Sequence, residues 1–432
     1  MYKIFRLRLD ALWFWIAFGS LTGCGKGTGA DNGAIGGGTS TRPAASGGSN
    51  ASAGATSTGG NGSPGTSSDT DAATGVDDYN GDVIVAGYYR TCMLRNGGLW
   101  CWGMNTFGEL GIDTTVDSHV PVQVLGITSG VTAVAIGEQH TCAVVYGGAQ
   151  CWGLNSDGQL GNDSTTASHV PVQVQGLTAG VTAIAAGTYH SCALVNGGVK
   201  CWGYNSHGQL GNNSNIVDSH TPVQVQGLTA GVTAVSAGFY HTCAVANGSV
   251  LCWGTNAYGG KLGISDPAND YVPVLIQGFT SRVTALTGGY YHSCALVDSA
   301  AKCWGSNSFG ELGNNAVPTP STSAVQVQGL TSGVSSIAAG VNVHTCALVA
   351  GQMRCWGDND YGELGDGSTT RSPVPVQVQG LSSGVTAIAV GAYHSCAIVN
   401  DEVRCWGDNS FGELGNNSTV NSLDPVLVQF AP

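Results

Sequence analysis

Residues 192–203, which read CALVNGGVKCWG, place two short apolar segments on either side of an Asn-Gly dipeptide. Asn-Gly in this setting is the strongest local signal for a β-hairpin with a two-residue turn. If Asn196 and Gly197 form that turn, Cys192 lies directly opposite Cys201. Alternation along the hairpin makes this a non-hydrogen-bonded pair with Cα atoms about 4.5 Å apart, at the short end of the disulfide range. The stretch therefore predicts a hairpin that a disulfide can bridge.

The same cysteine spacing occurs seven times in the 432-residue chain, and each second cysteine opens the phrase Cys-Trp-Gly. Successive copies lie 50, 50, 51, 51, 52 and 50 residues apart, a period that indicates a repeat architecture. A metal site of paired thiolates is the alternative, although such sites usually use Cys-x-x-Cys spacing. Within-repeat disulfides are predicted for Cys92–Cys101, Cys142–Cys151, Cys192–Cys201, Cys243–Cys252, Cys294–Cys303, Cys346–Cys355 and Cys396–Cys405.

The turn dipeptides become less favourable in the later copies. The third copy has Asn196-Gly197, whereas the fifth has Asp298-Ser299 and the seventh has Asn400-Asp401. A bridge across so short a loop contributes roughly 2 to 3 kcal/mol, and less where the turn already restrains the unfolded chain. We therefore expect the disulfides to matter more in the later copies.

Each copy contains four strand-sized segments separated by Gly, Asn and Ser clusters that are typical of turns. In the third copy they cover residues 181–185, 191–195, 199–202 and 222–226. Four short strands repeated seven times predict an all-β fold, a seven-bladed β-propeller of four-stranded blades. An open solenoid is the alternative, but its terminal repeats should carry a polar capping face, and here both terminal copies stay apolar.

The propeller is expected to occupy residues 82–432. Whether one blade combines strands from both ends of this region is left open by the sequence. The repeats are expected near residues 82–130, 131–180, 181–231, 232–282, 283–333, 334–384 and 385–432.

The fifteenth cysteine, Cys24, stands outside the repeats. A basic segment and a short apolar run precede it, as in a signal peptide. Leu21-Thr22-Gly23-Cys24 resembles the lipobox of bacterial lipoproteins, which implies cleavage after residue 23 and lipidation of Cys24. Residues 1–23 are then a signal peptide and residues 24–81 a flexible Gly/Ser/Thr-rich tether. Ordinary secretion with a free thiol is the alternative.

A ten-residue phrase follows each second cysteine, as in WGYNSHGQLG at residues 202–211. Together with the preceding His-Ser/Thr-x-Ala-Leu/Val segment, this phrase resembles the repeat of the regulator of chromosome condensation family. The resemblance extends over all seven copies and implies a seven-bladed propeller. The fourth copy departs from the pattern with an extra glycine in Tyr258-Gly259-Gly260, which predicts a local bulge.

The charge and composition of the chain argue against several classes of function. The formal net charge is -13 with only 14 Lys and Arg, which argues against binding to a nucleic-acid backbone. Only 9% of residues are charged, and no copy carries a distinctive catalytic set, so we expect no enzymatic activity and no cofactor. The nuclear family member is a guanine nucleotide exchange factor that binds chromatin. A secreted β-lactamase inhibitory protein with the same propeller is the nearer functional analogue, and it implies a protein partner.

The repeated polar residues have structural interpretations. The Trp of each phrase is expected to pack between blades, and the Asn to hold a turn. Six histidines occupy one repeat position, where the first copy has Arg90, and we expect each to hydrogen-bond within its own blade; a shared metal site is the alternative. These are His140, His190, His241, His292, His344 and His394.

Partner-binding residues are expected where the copies differ, because scaffold positions repeat while displayed positions are free to diverge. The second variable residue of Asn-x-x-Gly is Phe107, Asp157, His207, Tyr258, Phe309, Tyr361 or Phe411. Rings at these positions either contact a partner or cover neighbouring blades.

The sequence thus predicts noncatalytic protein binding at the bacterial cell envelope, with the chain reaching a membrane, expected to be the outer one, only through its lipid anchor. A carbohydrate-binding or adhesion module and an envelope enzyme using the central channel are the alternatives.

Overall fold

The computed structural model describes residues 82–214, 217–257, 261–264, 269–279 and 281–430. Within them, 28 strands form seven four-stranded antiparallel sheets. Cys24, the tether and Tyr258 lie outside the described residues. Among the described residues, no helix has the length and apolar character needed to cross a bilayer.

The strands of the first four blades follow one pattern. They are β1 (Val83–Ala86), β2 (Arg90–Arg95), β3 (Gly98–Gly103) and β4 (Ser118–Gln123); β5 (Val131–Ile136), β6 (His140–Val145), β7 (Gly148–Gly153) and β8 (Ser168–Gln173); β9 (Val181–Ala186), β10 (His190–Val195), β11 (Gly198–Gly203) and β12 (Ser219–Gln224); and β13 (Val232–Ala237), β14 (His241–Ala246), β15 (Ser249–Gly254) and β16 (Asp270–Leu275).

The strands of the last three blades follow the same pattern. Their strands are β17 (Val283–Gly288), β18 (His292–Val297), β19 (Ala300–Gly305) and β20 (Ser321–Gln326); β21 (Val334–Ala339), β22 (His344–Val349), β23 (Gln352–Gly357) and β24 (Ser372–Gln377); and β25 (Val385–Val390), β26 (His394–Val399), β27 (Glu402–Gly407) and β28 (Ser422–Leu427).

Every blade is built from four consecutive strands, in the order of the sequence. The first strands of neighbouring blades contact each other around the ring, and β1 contacts β25, so the last blade meets the first. Within residues 82–430 as described, no strand is shared between the two ends of the propeller. The seven-bladed, all-β prediction is confirmed, and the ring closes through side-chain and backbone contacts between complete blades.

The predicted hairpin register is confirmed in every blade. Cys192 pairs with Cys201 in the β10–β11 ladder, with a Cα–Cα distance of 4.0 Å. All seven predicted disulfides are present with Cα–Cα distances of 4.0 or 4.1 Å, somewhat shorter than the generic spacing. One within-blade disulfide thus joins the second and third strands of each blade.

The fourth strand of the third blade was wrongly predicted. It covers Ser219–Gln224 rather than 222–226. Its pairing with β11 shifts register between Cys201 and Gly203, and it is the outer edge of its sheet, where Pro222 is tolerated. Val225 follows the end of the strand; its amide still donates to the Val199 carbonyl at 3.0 Å, and its side chain is completely buried in the core.

The antiparallel strands give the propeller two ends. The turns between second and third strands, such as Asn196-Gly197, form one end, here called the hairpin face. The opposite end, the phrase face, carries the loops between first and second strands and the Asn-x-x-Gly loops. Arg95 lies at the hairpin face, with its Nε 3.5 Å from Asp82 Oδ2 and its guanidinium 4.7 Å from the Phe430 ring centroid.

The hydrophobic core lies in the seams between blades. Each of the seven main clusters combines residues of two neighbouring blades, for example Trp202 of the third blade with Leu160 and Val174 of the second. The seven repeat tryptophans are completely buried, which confirms that they pack between blades. Blade association therefore depends on burying these rings.

Candidate binding face and blade seams

The Asn of each phrase shapes the Asn-x-x-Gly loop. Asn205 Oδ1 accepts the Leu210 amide at 3.0 Å, and its Nδ2 donates to the Ser214 carbonyl at 2.8 Å. Gln209 Oε1 accepts the His207 amide at 3.0 Å. The expectation that the Asn holds a turn is confirmed, and the variable residue at position 207 is displayed on a backbone fixed by buried side chains.

Carboxyl groups replace Gln209 at this position in four blades. Glu363 Oε2 accepts the Tyr361 amide at 2.8 Å, and Glu413 Oε2 accepts the Phe411 amide at 2.9 Å. Burial raises the pKa of Glu363 and of Glu413 to about 8. At neutral pH both carboxyls are therefore mainly protonated, and a neutral carboxyl is a close substitute for the glutamine amide.

The repeat histidines connect neighbouring blades. His190 Nε2 lies 2.9 Å from Thr242 Oγ1 of the next blade, and that hydroxyl donates to the Gln209 carbonyl at 2.9 Å. Since the hydroxyl hydrogen points to the carbonyl, the imidazole must be the donor at Nε2. The six contacts are His140–Ser191, His190–Thr242, His241–Ser293, His292–Thr345, His344–Ser395 and His394–Thr91.

The expectation that each histidine bonds within its own blade was therefore wrong. Each imidazole begins at the end of a second strand, beside the seam, and reaches across to a hydroxyl on the second strand of the next blade, as His190 does to Thr242. Burial lowers the pKa of His190, His292 and His394 to about 3, so the rings stay neutral at physiological pH. Among the described residues, no group of three or more His, Cys, Asp or Glu side chains could hold a metal ion.

Arg90 takes the histidine position in the first blade and is completely buried. Its guanidinium donates to the carbonyls of Gly137 at 2.8 Å, Glu138 at 2.8 Å and His140 at 2.6 Å, all in the second blade. Its Nε also reaches the Thr141 hydroxyl at 3.3 Å. The longer side chain thus maintains the seam by contacting main-chain oxygens.

The predicted partner-binding residues lie on the phrase face and are half-buried wherever they are described. Several pack on a tyrosine of the following blade. Ring centroids are 5.2 Å apart for Phe411 and Tyr89, 5.2 Å for Tyr361 and Tyr393, and 4.7 Å for His207 and Tyr240. The members of this set are Phe107, Asp157, His207, Phe309, Tyr361 and Phe411, while Tyr258 is not described.

The tyrosines that complete this surface were missed by the sequence analysis. They lie in the loop between the first and second strands, directly before the repeat histidine or Arg90. The available signal was the recurrence of Tyr-His in four copies. The residues are Tyr89, Tyr189, Tyr240, Tyr291 and Tyr393.

Side chains from several blades fill the central channel at the phrase face. Tyr88 of the first blade, only 8% exposed, clusters with Val341 of the sixth and Ala392 of the seventh. The Tyr88 hydroxyl is 2.9 Å from Thr188 Oγ1 of the third blade. Contacts between blades that are not neighbours, the first with the third and with the sixth, therefore plug this mouth of the channel.

The repeat signature can now be compared with known families. The profile described as the regulator of chromosome condensation (RCC1) repeat matches residues 96–144, 147–194, 196–245, 247–296 and 350–398, together more than half of the chain. A second profile of the same repeat matches residues 131–159, 181–209, 232–259 and 385–413. The chain belongs to the RCC1 repeat family.

Relatives of this RCC1 repeat protein differ widely in length. The human E3 ubiquitin-protein ligase HERC2 is 29% identical over 186 residues, which is 41% of this chain and 4% of HERC2. The ultraviolet-B receptor UVR8 of Arabidopsis thaliana is 29% identical over 171 residues, 37% of this chain and 38% of UVR8. The chain therefore spans less than half of the length of these curated relatives.

Solved structures share the fold. Human WBSCR16 superposes with a TM-score of 0.68 at 23% identity, covering 78% of this RCC1 repeat protein and 94% of WBSCR16. Prp20p from Saccharomyces cerevisiae superposes with a TM-score of 0.65 at 21% identity, covering 80% of this chain and 86% of Prp20p. At these identities the similarity establishes the propeller fold alone.

Proposed function

We propose that this RCC1 repeat protein is a noncatalytic protein-binding propeller that contacts its partner with the phrase face. The observation that carries the proposal is that the Asn-x-x-Gly loops of the phrase face have the same fixed backbone in successive blades but display different side chains. The same Asn and Glu or Gln contacts hold the loops, yet the displayed residue is Phe107, Asp157 or His207 in successive blades. A rigid set of loops with differing side chains suits recognition of one complementary surface.

The plugged channel supports a binding role over catalysis at the channel mouth. Tyr88, Val341 and Ala392 occupy the place where a substrate would have to enter from this face. Two of the displayed rings also pack edge-on or tilted on their tyrosines, Tyr361 on Tyr393 at 67° and Phe411 on Tyr89 at 60°, which is not the flat arrangement on which a sugar stacks. One solved structure with this fold is yeast RCC1 (Prp20) with Kap60 bound, so a protein that contains this fold has a protein partner in that case.

The proposed location is the bacterial cell envelope, with a lipid on Cys24. Seven disulfides fit an oxidising compartment, where such bridges form and persist. Metabolic labelling with a fatty acid, comparing the full chain with a Cys24→Ala variant, tests the anchor. The wild-type chain should incorporate label and fractionate with membranes, and labelling of both forms would contradict lipidation at Cys24.

Binding is tested by affinity capture from envelope extract with the oxidised full chain carrying Cys24→Ser. The phrase-face variant is Tyr361→Ala with Phe411→Ala. The control is Tyr146→Ala, which removes an aromatic ring that is 74% exposed on the hairpin face. Saturable retention of one protein, lost with the phrase-face variant and kept with the control, is the expected result.

Two results would contradict this proposal. Retention that survives the phrase-face variant but is lost with Tyr146→Ala would place binding on the other face. A retained polysaccharide without any saturable protein would favour the carbohydrate-binding alternative.

A further inference from the structure

Aromatic side chains form a continuous surface on the phrase face across the third to fifth blades. Ring centroids are 6.4 Å apart for Tyr189 and Tyr240, 3.9 Å for Tyr240 and Phe239, and 3.9 Å for Phe239 and Tyr290. All four residues are half-buried, so part of each remains accessible. This surface, formed by Tyr189, Tyr240, Phe239 and Tyr290, is here called the aromatic arc.

The second blade interrupts the aromatic pattern. At the two loop positions before its repeat histidine it has Glu138 and Gln139, where the first blade has Tyr88 and Tyr89. Its Asn-x-x-Gly position is Asp157, where the first blade has Phe107. Compared with the first blade, the second blade therefore has two acids and an amide in place of three aromatic side chains.

These two acids border the end of the aromatic arc. The Glu138 carboxylate hydrogen-bonds to the Tyr189 side chain. Both Glu138 and Asp157 raise the pKa of the Tyr189 hydroxyl, after the larger effect of burial. Burial in turn raises the pKa of Glu138, while the Tyr189 hydrogen bond and Arg90 lower it. A partly desolvated carboxylate beside aromatic rings is a favourable place for an added cation.

Most of the exposed charge on the rest of the phrase face has the same sign. The exception beside the arc is Lys261, which is buried with its Nζ 5.9 Å from the Phe239 ring centroid and whose pKa burial lowers to about 7. The loops between the third and fourth strands of the first three blades contribute Asp113, Asp117, Asp163 and Asp218. In the described part of the chain, Arg371 is the one exposed Lys or Arg on this face, and it is paired with Asp358 at 2.6 Å and Asp360 at 2.8 Å. Most other bases of the propeller lie toward the hairpin face, as Lys302 does with its Nζ 3.4 Å from the Gly278 carbonyl.

We infer that the aromatic arc and the acidic second blade dock a basic segment of a partner protein, with a lysine or arginine side chain seated between Glu138, Asp157 and the Tyr189 ring. The inference rests on the proposed function and specifies the partner's chemistry. The apolar part of the segment covers the rings of Tyr240 and Phe239, and its cation forms a charge-assisted hydrogen bond with Glu138. Arg90, completely buried and bonded to main-chain oxygens, leaves the carboxylate without an ion pair to break.

The test uses the oxidised full chain with Cys24→Ser and a fluorescent peptide of alternating leucine and lysine. The comparison peptides carry acetyl-lysine or glutamate in place of lysine. Anisotropy titrations at several salt concentrations should show binding of the lysine peptide alone, with affinity falling as salt rises. Glu138→Gln should weaken that binding roughly tenfold, a usual effect for losing one partly buried charge-assisted contact.

Matched variants keep the test interpretable. Asp157→Asn removes the second acid at a site away from Arg90, and a several-fold loss is expected there even if Glu138→Gln fails to fold. Glu402→Gln, at an exposed hairpin-face glutamate whose partner is Arg404, should leave the affinity unchanged. Equal binding of the lysine and acetyl-lysine peptides would overturn the inference. The inference would also be overturned if Asp157→Asn and Glu402→Gln lowered the affinity for the lysine peptide equally.

The outcome can be separated from that of the proposed function. If a natural partner is lost with the Tyr361→Ala and Phe411→Ala variant but is unaffected by Glu138→Gln and Asp157→Asn, protein binding stands and the basic-segment inference fails. If both second-blade variants release the natural partner, both conclusions hold.

Discussion

His394 of the last blade and Thr91 of the first blade are joined by a hydrogen bond, with 2.8 Å between His394 Nε2 and Thr91 Oγ1. The same hydroxyl donates to the Glu413 carbonyl at 3.1 Å, which also accepts the Trp102 Nε1–H at 2.7 Å. The histidine–hydroxyl contact of this seam recurs in five of the other six, and Arg90 replaces the histidine between the first and second blades. At the closing seam, however, no stretch of chain runs from one blade to the next. Its closure depends on these side chains and on the apolar contacts around Trp102.

Thr91→Val should therefore be more damaging than the same change at an internal seam. Thr242 is the matched control because it bonds His190 and the Gln209 carbonyl in the same way. Each substitution should lower the free energy of unfolding by about 1 to 3 kcal/mol, since buried groups lose partners. Thr91→Val should also accelerate hydrogen exchange at Trp102 Nε1, measured by NMR, more than Thr242→Val does at Trp253 Nε1. Equal acceleration would mean that the closing seam opens no more readily than the others.

Gly415→Ala tests how closely the phrase approaches the neighbouring tryptophan. A Cβ on Gly415 would lie 2.7 Å from Trp102 Nε1, and its φ is 62°. Gly126 has a φ of 75° but no heavy atom within 4 Å of the corresponding Cβ, so Gly126→Ala isolates the backbone effect. We expect Gly126→Ala to lower the free energy of unfolding by roughly 1 kcal/mol, and Gly415→Ala to lower it by at least about 2 kcal/mol more. Urea unfolding measures both, and similar losses would show that the tryptophan ring moves aside at little cost.

Thermal stability should be greatest near neutral to slightly acidic pH. The repeat histidines have folded pKa values of about 3 for His140, His190, His292, His344 and His394, against about 6.5 when unfolded. Between these values the unfolded chain binds more protons, so stability falls as pH drops below about 6.5. Each of these histidines lowers the free energy of unfolding by up to about 1.4 kcal/mol for every pH unit by which the pH falls in that range.

Glu363 and Glu413 act in the opposite direction. Their folded pKa of about 8 exceeds the value of about 4.5 expected when unfolded, so the stability that they contribute is lost as pH rises through 8. Lys261, whose pKa burial lowers to about 7, offsets part of this loss above pH 7, so the alkaline decline is the shallower one. Calorimetric melting temperatures should therefore peak near pH 6.5.

Replacing both glutamates provides the control for this profile. Glu363→Gln with Glu413→Gln reproduces the glutamine already present as Gln209, so the fold should accept it. The double variant should flatten the alkaline side of the profile and steepen the decline between about pH 6.5 and 4.5, because there the glutamates oppose the effect of the histidines. An unchanged alkaline decline would mean that other groups cause it.

The turn of the fifth blade offers a stabilising change. Asp298 and Ser299 both have positive φ, 50° and 61°, as a two-residue hairpin turn requires. Ser299→Gly should raise the free energy of unfolding by roughly 0.5 to 1 kcal/mol, because glycine adopts this conformation without strain. Gly197→Ser makes the reverse change at a φ of 78° in the third blade and should destabilise by a similar amount. Chemical denaturation of the oxidised protein measures both, and same-sign effects would contradict the argument.

Local sequence patterns were sufficient to predict the hairpins but not the fourth strands at the outer edges of the sheets. The turn dipeptide and the cysteine spacing set the register between Cys192 and Cys201, because both act within a dozen residues. The fourth strand depends on a register shift and on where Val225 turns into the core, neither of which leaves a local signal. The partner of His190 was missed for a related reason, since Thr242 lies on another blade and is brought near only by ring geometry.

The candidate site was predicted in part. Variation among repeats located Phe411 and its equivalents, and the structure places them on one face. Sequence comparison of single positions did not reveal that Phe411 would rest on Tyr89, because the two residues are far apart in the chain and meet across the closing seam. Whether these rings contact a partner stays a prediction.

Arg95 touches both ends of the described propeller, Asp82 at its start and Phe430 near its finish. Any segment joined on either side of the domain is therefore attached at the hairpin face. Both ends of the described propeller thus lie away from the loops that carry Phe411. A bead or a fused domain can therefore be joined through either end without being attached next to the phrase face.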